Sequence, residues 1–170
     1  VSNIVLIGPS GAGKTTLGKM LADSLGMAFF DTDKEIEKTA NMPISQIFKT
    51  FGEGHFRRLE HNICKRFVAL KNTVISTGGG TFTNPQNAQF LHADWMVIYL
   101  QASPEVILQR LEVDNTRPLL QGDNKLASIQ ALLQEREQTY KNLATITIDA
   151  NDTNLDAIKL VAKPKNIKLP

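Results

Sequence analysis

The chain has 170 residues, 42% of them apolar, and a formal charge of +2 from 19 Lys and Arg against 17 Asp and Glu. This suits one globular domain with its own core and excludes a nucleic-acid-coating polycation; eight Phe, two Tyr and one Trp are too few for a base-stacking platform. The single cysteine, Cys64, cannot close an internal disulfide, and no apolar run has the length of a bilayer span or the pattern of a secretory leader, so the expected location is the cytosol.

Short apolar runs alternate with amphipathic stretches, the pattern of a parallel sheet covered by helices. Asn3–Ile7 reads as a buried strand. Lys14–Leu25 reads as a helix with Leu17, Met20, Leu21 and Leu25 on one face and Gly26 just past its end. Met27–Asp31 is a second strand, followed by short helices over Asp33–Ala40 and Pro43–Phe51. A longer helix is expected from Glu53 to Leu70, with Phe56, Leu59, Ile63, Phe67 and Leu70 at helical spacing. Thr73–Thr77 is a strand running into Gly78-Gly79-Gly80, and Asn84 with Pro85 opens a short helix. Trp95–Leu100 is the fourth strand, and Ser103-Pro104 opens the next helix. Asp114–Lys125, polar and holding Pro118 and Gly122, reads as a surface loop. A helix over Leu126–Lys141 and a fifth strand over Thr145–Asp149 follow. Thr153 with Asp156 offers a capping box for a last helix to Ala162, and residues 163–170 form a basic tail, leaving residues 1–162 as a single domain.

Between the first strand and first helix, Gly8-Pro9-Ser10-Gly11-Ala12-Gly13-Lys14-Thr15 matches G-x-x-x-x-G-K-[ST]. Glycines let successive N–H groups turn inward toward phosphate oxygens, and the helix N-terminus adds partial positive charge. Lys14 can reach the β- and γ-phosphates of a nucleotide, and the Thr15 hydroxyl can ligate Mg²⁺. A plain glycine-rich turn is the alternative, but the flanking strand and helix fit the nucleotide loop. The chain lacks N-K-x-D, the guanine-reading signature, and its length leaves room for a nucleotide, a small acceptor and a lid. A small-molecule kinase is the leading class, ahead of a regulatory nucleotide-binding module, which needs no acceptor site.

Asp31-Thr32-Asp33 lies where the second strand should end, and strand carboxyl ends face the ligand crevice in an open parallel sheet. One carboxylate can face Mg²⁺ through water; the other can accept a hydrogen bond from a substrate hydroxyl. The alternative is that Asp33 caps the next helix. Gly78-Gly79-Gly80 suits a backbone passing close to a ligand, with a flexible turn as the alternative. Arg57, Arg58 and Arg136 carry planar forks suited to carboxylates and phosphates. Glu60 follows Arg57 by three residues, close enough on a helix to orient its guanidinium; Arg58 is then the surface partner, with an exchange of roles between the two arginines as the alternative.

The P-loop through Thr16, Asp31-Thr32-Asp33, Phe51-Gly52-Glu53 with Phe56-Arg57 and Glu60, Gly78-Gly79-Gly80, Arg117-Pro118-Leu119-Leu120, and Arg136-Glu137 with Tyr140 together resemble the shikimate kinase family, from about Asn3 to Ala162. The resemblance implies a three-layer α/β P-loop kinase fold, with helices on both faces of a five-stranded parallel sheet in the order 2-3-1-4-5. It implies ATP-dependent phosphorylation of the 3-hydroxyl of shikimate, with Mg²⁺, in chorismate and aromatic amino-acid biosynthesis. By position, Asp33, Arg57, Gly79 and Arg136 would hold shikimate, in a substrate-binding region over residues 33–70. Gly11, Ala12, Gly13, Lys14, Thr15 and Thr16 would hold the ATP phosphates, with Thr15 and Asp31 serving Mg²⁺. Arg117 would act from a lid over residues 114–125, Arg110 would flank the adenine, and Ala150–Thr153 would complete its pocket. Lys14, Asp33 and Arg117 are the expected catalytic groups. The expected protein is a monomer that binds neither nucleic acid nor membrane. A kinase for another polyol or sugar acid, such as gluconate, is the rival within enzymes.

His61 and Cys64 are spaced as half a metal site, with no second pair to complete a tetrahedron, so no metal is expected there. His92 and Trp95 read as packing residues. Tyr140 is open between packing and a hydrogen bond near the substrate.

Overall fold

Five parallel strands form one sheet in the order β2-β3-β1-β4-β5, as expected. A computed structural model describes residues 2–113 and 124–152. Most of the expected lid with Arg117, the capping box at Thr153 and Asp156, the last helix and the tail lie outside the described residues.

The central strand β1 (Asn3–Ile7) is buried along its whole length, between β3 (Thr73–Ser76) and β4 (Met96–Gln101). β2 (Ala28–Asp31) and β5 (Ile146–Asp149) take the two edges. Because side chains alternate along a strand, the apolar runs feed two cores. Val5, Ile7, Ile75, Val97 and Tyr99 face one side; Ile4, Leu6, Val74, Ile98 and Leu100 face the other. α1 (Lys14–Leu25) covers the second face with Leu17, Leu21 and Ala22. It lies so close that a Cβ on Gly18 would stand 2.7 Å from the Phe29 ring. α2 (Thr32–Ala40), α3 (Ile44–Cys64) and the short α4 (Pro85–Ala88) cover the first face around Ile36, Ile47, Phe56 and Phe67. α5 (Pro104–Val113) and α6 (Lys125–Leu143) enclose a third, smaller cluster around Ile107 and Ile129.

The structure corrects one expectation about local structure and decides one alternative. The helices expected over Pro43–Phe51 and Glu53–Leu70 do part at Gly52, whose φ 79° and ψ 173° make a backbone shape that a side chain would resist. The second of them, however, stops at Cys64 rather than Leu70, and Lys65–Ala69 tightens into a 3₁₀ turn that buries Phe67. Its exit is fixed by Asn3, whose side chain donates to Leu70 O at 2.8 Å and accepts from Thr73 N at 2.9 Å. The alternative concerns the cap of α2. Asp31, not Asp33, holds it: Asp31 keeps extended φ/ψ and its Oδ1 accepts from Lys34 N at 3.1 Å. Asp33 therefore sits in the first turn of α2, with the capping already done by its neighbour.

Candidate active site

The loop from β1 to α1 turns its backbone through positive φ at Gly11 and Gly13 and ends at the start of α1. Lys14, only 6% exposed, folds back over the loop and donates to Gly8 O and Pro9 O at 2.7 Å each. The ammonium is thus held at the mouth of the cradle by carbonyls of its own loop. One residue on, the Thr15 hydroxyl donates to Asp31 Oδ2 at 2.7 Å. The end of β2 and the start of α1 thereby present a hydroxyl and a carboxylate side by side, a hard-oxygen pair suited to Mg²⁺.

These groups open onto a cleft of about 550 Å³. Its phosphate side is lined by Gly11, Gly13, Lys14, Thr15, Thr16 and Asp31, and its far side by Asp33, Arg57, Glu60 and Gly78-Gly79-Gly80. Ile44, Phe48 and Phe56 supply an apolar wall within the substrate-binding region expected over residues 33–70, although the sequence singles out none of the three as a site residue. Phe56 stands out by its helical spacing and its place beside Arg57 in the family motif, whereas Ile44 and Phe48 carry no signal of their own. Ala12 is fully buried and does not line the cleft; its N–H bonds Pro9 O within the loop.

On α3, Arg57 makes an ion pair with Glu60 at 2.9 Å and a longer one with Glu53 at 3.3 Å. Burial pushes the Arg57 guanidinium toward losing its proton, but the two carboxylates outweigh that and raise its pKa. Arg57 is therefore a permanent cation. Arg58 is exposed, as the spacing argument expected.

The glycine turn after β3 touches both sides of the cleft. A Cβ on Gly79 would stand 3.0 Å from Ser10 N, one on Gly78 3.1 Å from both Asp33 Oδ1 and Glu60 Oε2, and one on Gly80 2.7 Å from Arg57 Nη2. The turn is tied down by Tyr140, whose hydroxyl donates to Gly79 O at 2.6 Å while its ring packs against Tyr99. Tyr140 thus both packs and bonds at the site. Burial raises its phenol pKa to about 12, against the opposing charge and hydrogen bonding of Arg136 one turn back, so it stays a neutral donor.

Arg136 is half-buried and has a buried Nε with no partner among the described residues. It does not line the cleft itself, although Tyr140 ties its helix to the turn that does. Arg110 lines the cleft behind the loop. Its guanidinium donates to Gly11 O and Ala12 O at 3.3 Å and to Ala150 O at 2.7 Å, linking the loop to the end of β5. His61 Nδ1 lies 2.8 Å from Asn87 Oδ1, and the Cys64 thiol is fully buried, with its pKa raised by burial and by Glu60.

A phosphate loop at the carboxyl edge of a 2-3-1-4-5 parallel sheet, facing a second wall of carboxylate and arginine, defines a P-loop phosphotransferase for a small acceptor. The family model described as shikimate kinase matches residues 10–163, and the chain belongs to that family. It is 46% identical over 158 residues to a shikimate kinase of Thermoanaerobacter pseudethanolicus, covering 93% of this chain and 92% of that one. It is 43% identical to another from Caldicellulosiruptor saccharolyticus, covering 95% of each. Among solved structures, the shikimate kinase of Acinetobacter baumannii in complex with shikimate superposes with a TM-score of 0.89 at 38% identity, covering 98% of this chain and 96% of that one.

Proposed function

We propose that this chain transfers the γ-phosphoryl group of ATP to the 3-hydroxyl of shikimate, giving shikimate 3-phosphate for chorismate and aromatic amino-acid biosynthesis. The observation that carries the reading is the pairing, across one cleft, of the Lys14 loop with Asp33 and the Glu60-anchored Arg57.

Backbone N–H groups of Gly11, Gly13, Lys14, Thr15 and Thr16 hold the phosphates, with Ala12 shaping the loop from within, and Lys14 stabilises charge on the transferring group. Its present bonds to Gly8 O and Pro9 O keep the ammonium beside the place those phosphates take. Thr15 and, through water, Asp31 would hold Mg²⁺, which when bound neutralises phosphate charge. Asp33 accepts a hydrogen bond from the acceptor hydroxyl and orients it for attack. As the new oxygen–phosphorus bond forms, the bond to ADP breaks and the hydroxyl proton passes toward the Asp33 carboxylate or solvent. Arg57 and Arg136 receive the acceptor's carboxylate, and Gly79 offers its backbone. The Arg136 Nε, buried and without a partner among the described residues, supports that role, because a buried donor calls for an acceptor. Ile44, Phe48 and Phe56 exclude water beside the ring. Arg110 braces the loop and flanks the adenine together with the stretch from Ala150. Arg117 belongs to the same reading through its sequence motif alone.

The cytosol and a monomeric state complete the proposal; no helix among the described residues is long and apolar enough to cross a membrane. ADP release measured with shikimate, quinate and gluconate as acceptors tests the reading. Shikimate should be preferred by a wide margin, and equal rates with gluconate would overturn it.

A further inference from the structure

Glu60 is a fully buried carboxylate whose two oxygens face different donors. Oε1 accepts from Arg57 Nη1 at 2.9 Å, and Oε2 accepts from the Thr81 hydroxyl at 2.8 Å. A buried charge that loses one of its partners is left with an unsatisfied oxygen away from water. Arg57 also has a second carboxylate within reach, Glu53 at 3.3 Å, whose side chain is 63% exposed. The guanidinium fork is thus held on two sides, by the buried carboxylate at Nη1 and the exposed one at Nη2. The shorter and buried of the two bonds comes from a carboxylate whose other oxygen is bonded by Thr81.

Thr81 is itself fully buried and held from several directions. Its N–H donates to Gly78 O at 3.2 Å, and its carbonyl accepts from Asn87 Nδ2 at 2.7 Å. With that amide end committed, Asn87 Oδ1 is the acceptor for the His61 ring N–H at 2.8 Å. The turn carrying Thr81 also brings Gly80 directly against the Arg57 guanidinium.

We propose that Thr81 is a positioning residue for acceptor binding: by holding Glu60 Oε2 it keeps Oε1 aimed at Arg57 and so presents the guanidinium to the acceptor's carboxylate. This rests on the reading of Arg57 as the carboxylate anchor. The carboxylate takes no part in phosphoryl transfer, so Thr81 acts on the affinity for the acceptor rather than on the chemical step.

Steady-state kinetics of Thr81→Ala, Thr81→Val and Thr81→Ser in the full chain test this. Ala and Val should raise the KM for shikimate by about five- to twentyfold, leaving kcat and the KM for ATP within about twofold, and Ser should restore it. With a neutral shikimate analogue bearing a hydroxymethyl group in place of the carboxylate, Thr81→Ala and wild type should have equal kcat/KM. A normal KM in Thr81→Ala, a Ser variant as poor as Ala, or equal losses on the neutral analogue would overturn the proposal. Should Thr81→Val fail to fold, the Ala and Ser pair, which differ by one hydroxyl, decides the question. Arg57→Lys separates the two levels. A raised KM there beside a silent Thr81→Ala rejects Thr81 alone, whereas a silent Arg57→Lys rejects the anchor and the proposal with it.

Discussion

The phosphate-facing wall of the cleft comes mostly from one stretch, Gly8–Thr15, whose ammonium is held by carbonyls of that same loop, with Thr16 next to it and only Asp31 brought in from the end of β2. The opposite wall draws Asp33 from α2, Arg57 and Glu60 from α3, and Gly78-Gly79-Gly80 from the turn after β3, with Thr81 buried behind it. The first wall works mainly through backbone, so its geometry follows from chain direction and tolerates changes of neighbouring side chains. The second works through side chains that meet only because the sheet and α3 bring them together. Damage to the first should appear in turnover, and damage to most of the second in acceptor affinity.

Asp33 is the place where that division should break, since it lies on the acceptor wall yet acts on the reacting hydroxyl. Asp33→Asn should lower kcat by about 10²–10⁴-fold with ATP binding little changed. Because Asp31 already caps α2, the Asp33 variant should keep its fold, losing no more than about 0.3–1 kcal/mol for a first-turn charge. Unchanged turnover would remove Asp33 from the reaction.

On the phosphate wall, Lys14→Ala should cost at least about 10²-fold in kcat, about 2.7–4 kcal/mol, with the circular dichroism spectrum unchanged. Near-normal turnover there would mean that the cradle does not hold the transferring group.

Arg57→Ala or Arg136→Ala should each raise the KM for shikimate by about ten- to a hundredfold, consistent with about 1.5–3 kcal/mol per charged hydrogen bond. The KM for ATP should stay within about threefold. The exposed Arg58 supplies the control, and its Ala variant should be nearly silent. If Arg58 matters and Arg57 does not, the assignment of the two neighbours is reversed.

The smallest expected effect sharpens the comparison from the side of stability. Burial raises the Tyr140 pKa from 10.0 to about 12, so the unfolded chain gives up this proton first. Above about pH 10 the folded state binds more protons at this group, and stability falls as pH rises toward 12. Tyr140→Phe should flatten that alkaline decline in a denaturant titration, while costing about 1 kcal/mol at neutral pH by leaving Gly79 O without its donor.

The difference between the walls also governs what could be read from the sequence. The phosphate wall is mostly eight consecutive residues between a strand and a helix, and the sheet order came with the family resemblance. The Glu60–Arg57 pairing was legible because spacing along a helix is a local property. The cap of α2 was not, because two aspartates two residues apart are equally good caps until the backbone at each is known: Asp31 is extended and Asp33 already helical. The 3₁₀ turn after Cys64 was hidden for a similar reason: Phe67 and Leu70 continue the apolar period while the backbone has already changed to bury Phe67. Thr81 gave no signal, since a lone threonine after three glycines has neither period nor charge. Its meaning depends on a carboxylate twenty-one positions earlier in the chain.

The glycine turn after β3 bears on any attempt to retune the enzyme for a different acceptor. Its three successive Cα positions face Asp33 with Glu60, the Ser10 backbone, and the Arg57 fork. Substituents added there would press on reacting groups, on the nucleotide loop or on the anchor, with no direction left to expand. Room for a bulkier or differently shaped acceptor has to be cut from the helical side, at Ile44 and Phe48, because the third apolar residue there, Phe56, carries the Arg57 guanidinium 5.3 Å from its ring centroid. Libraries built on those two positions, with the turn and Phe56 left untouched, are where altered selectivity should be found.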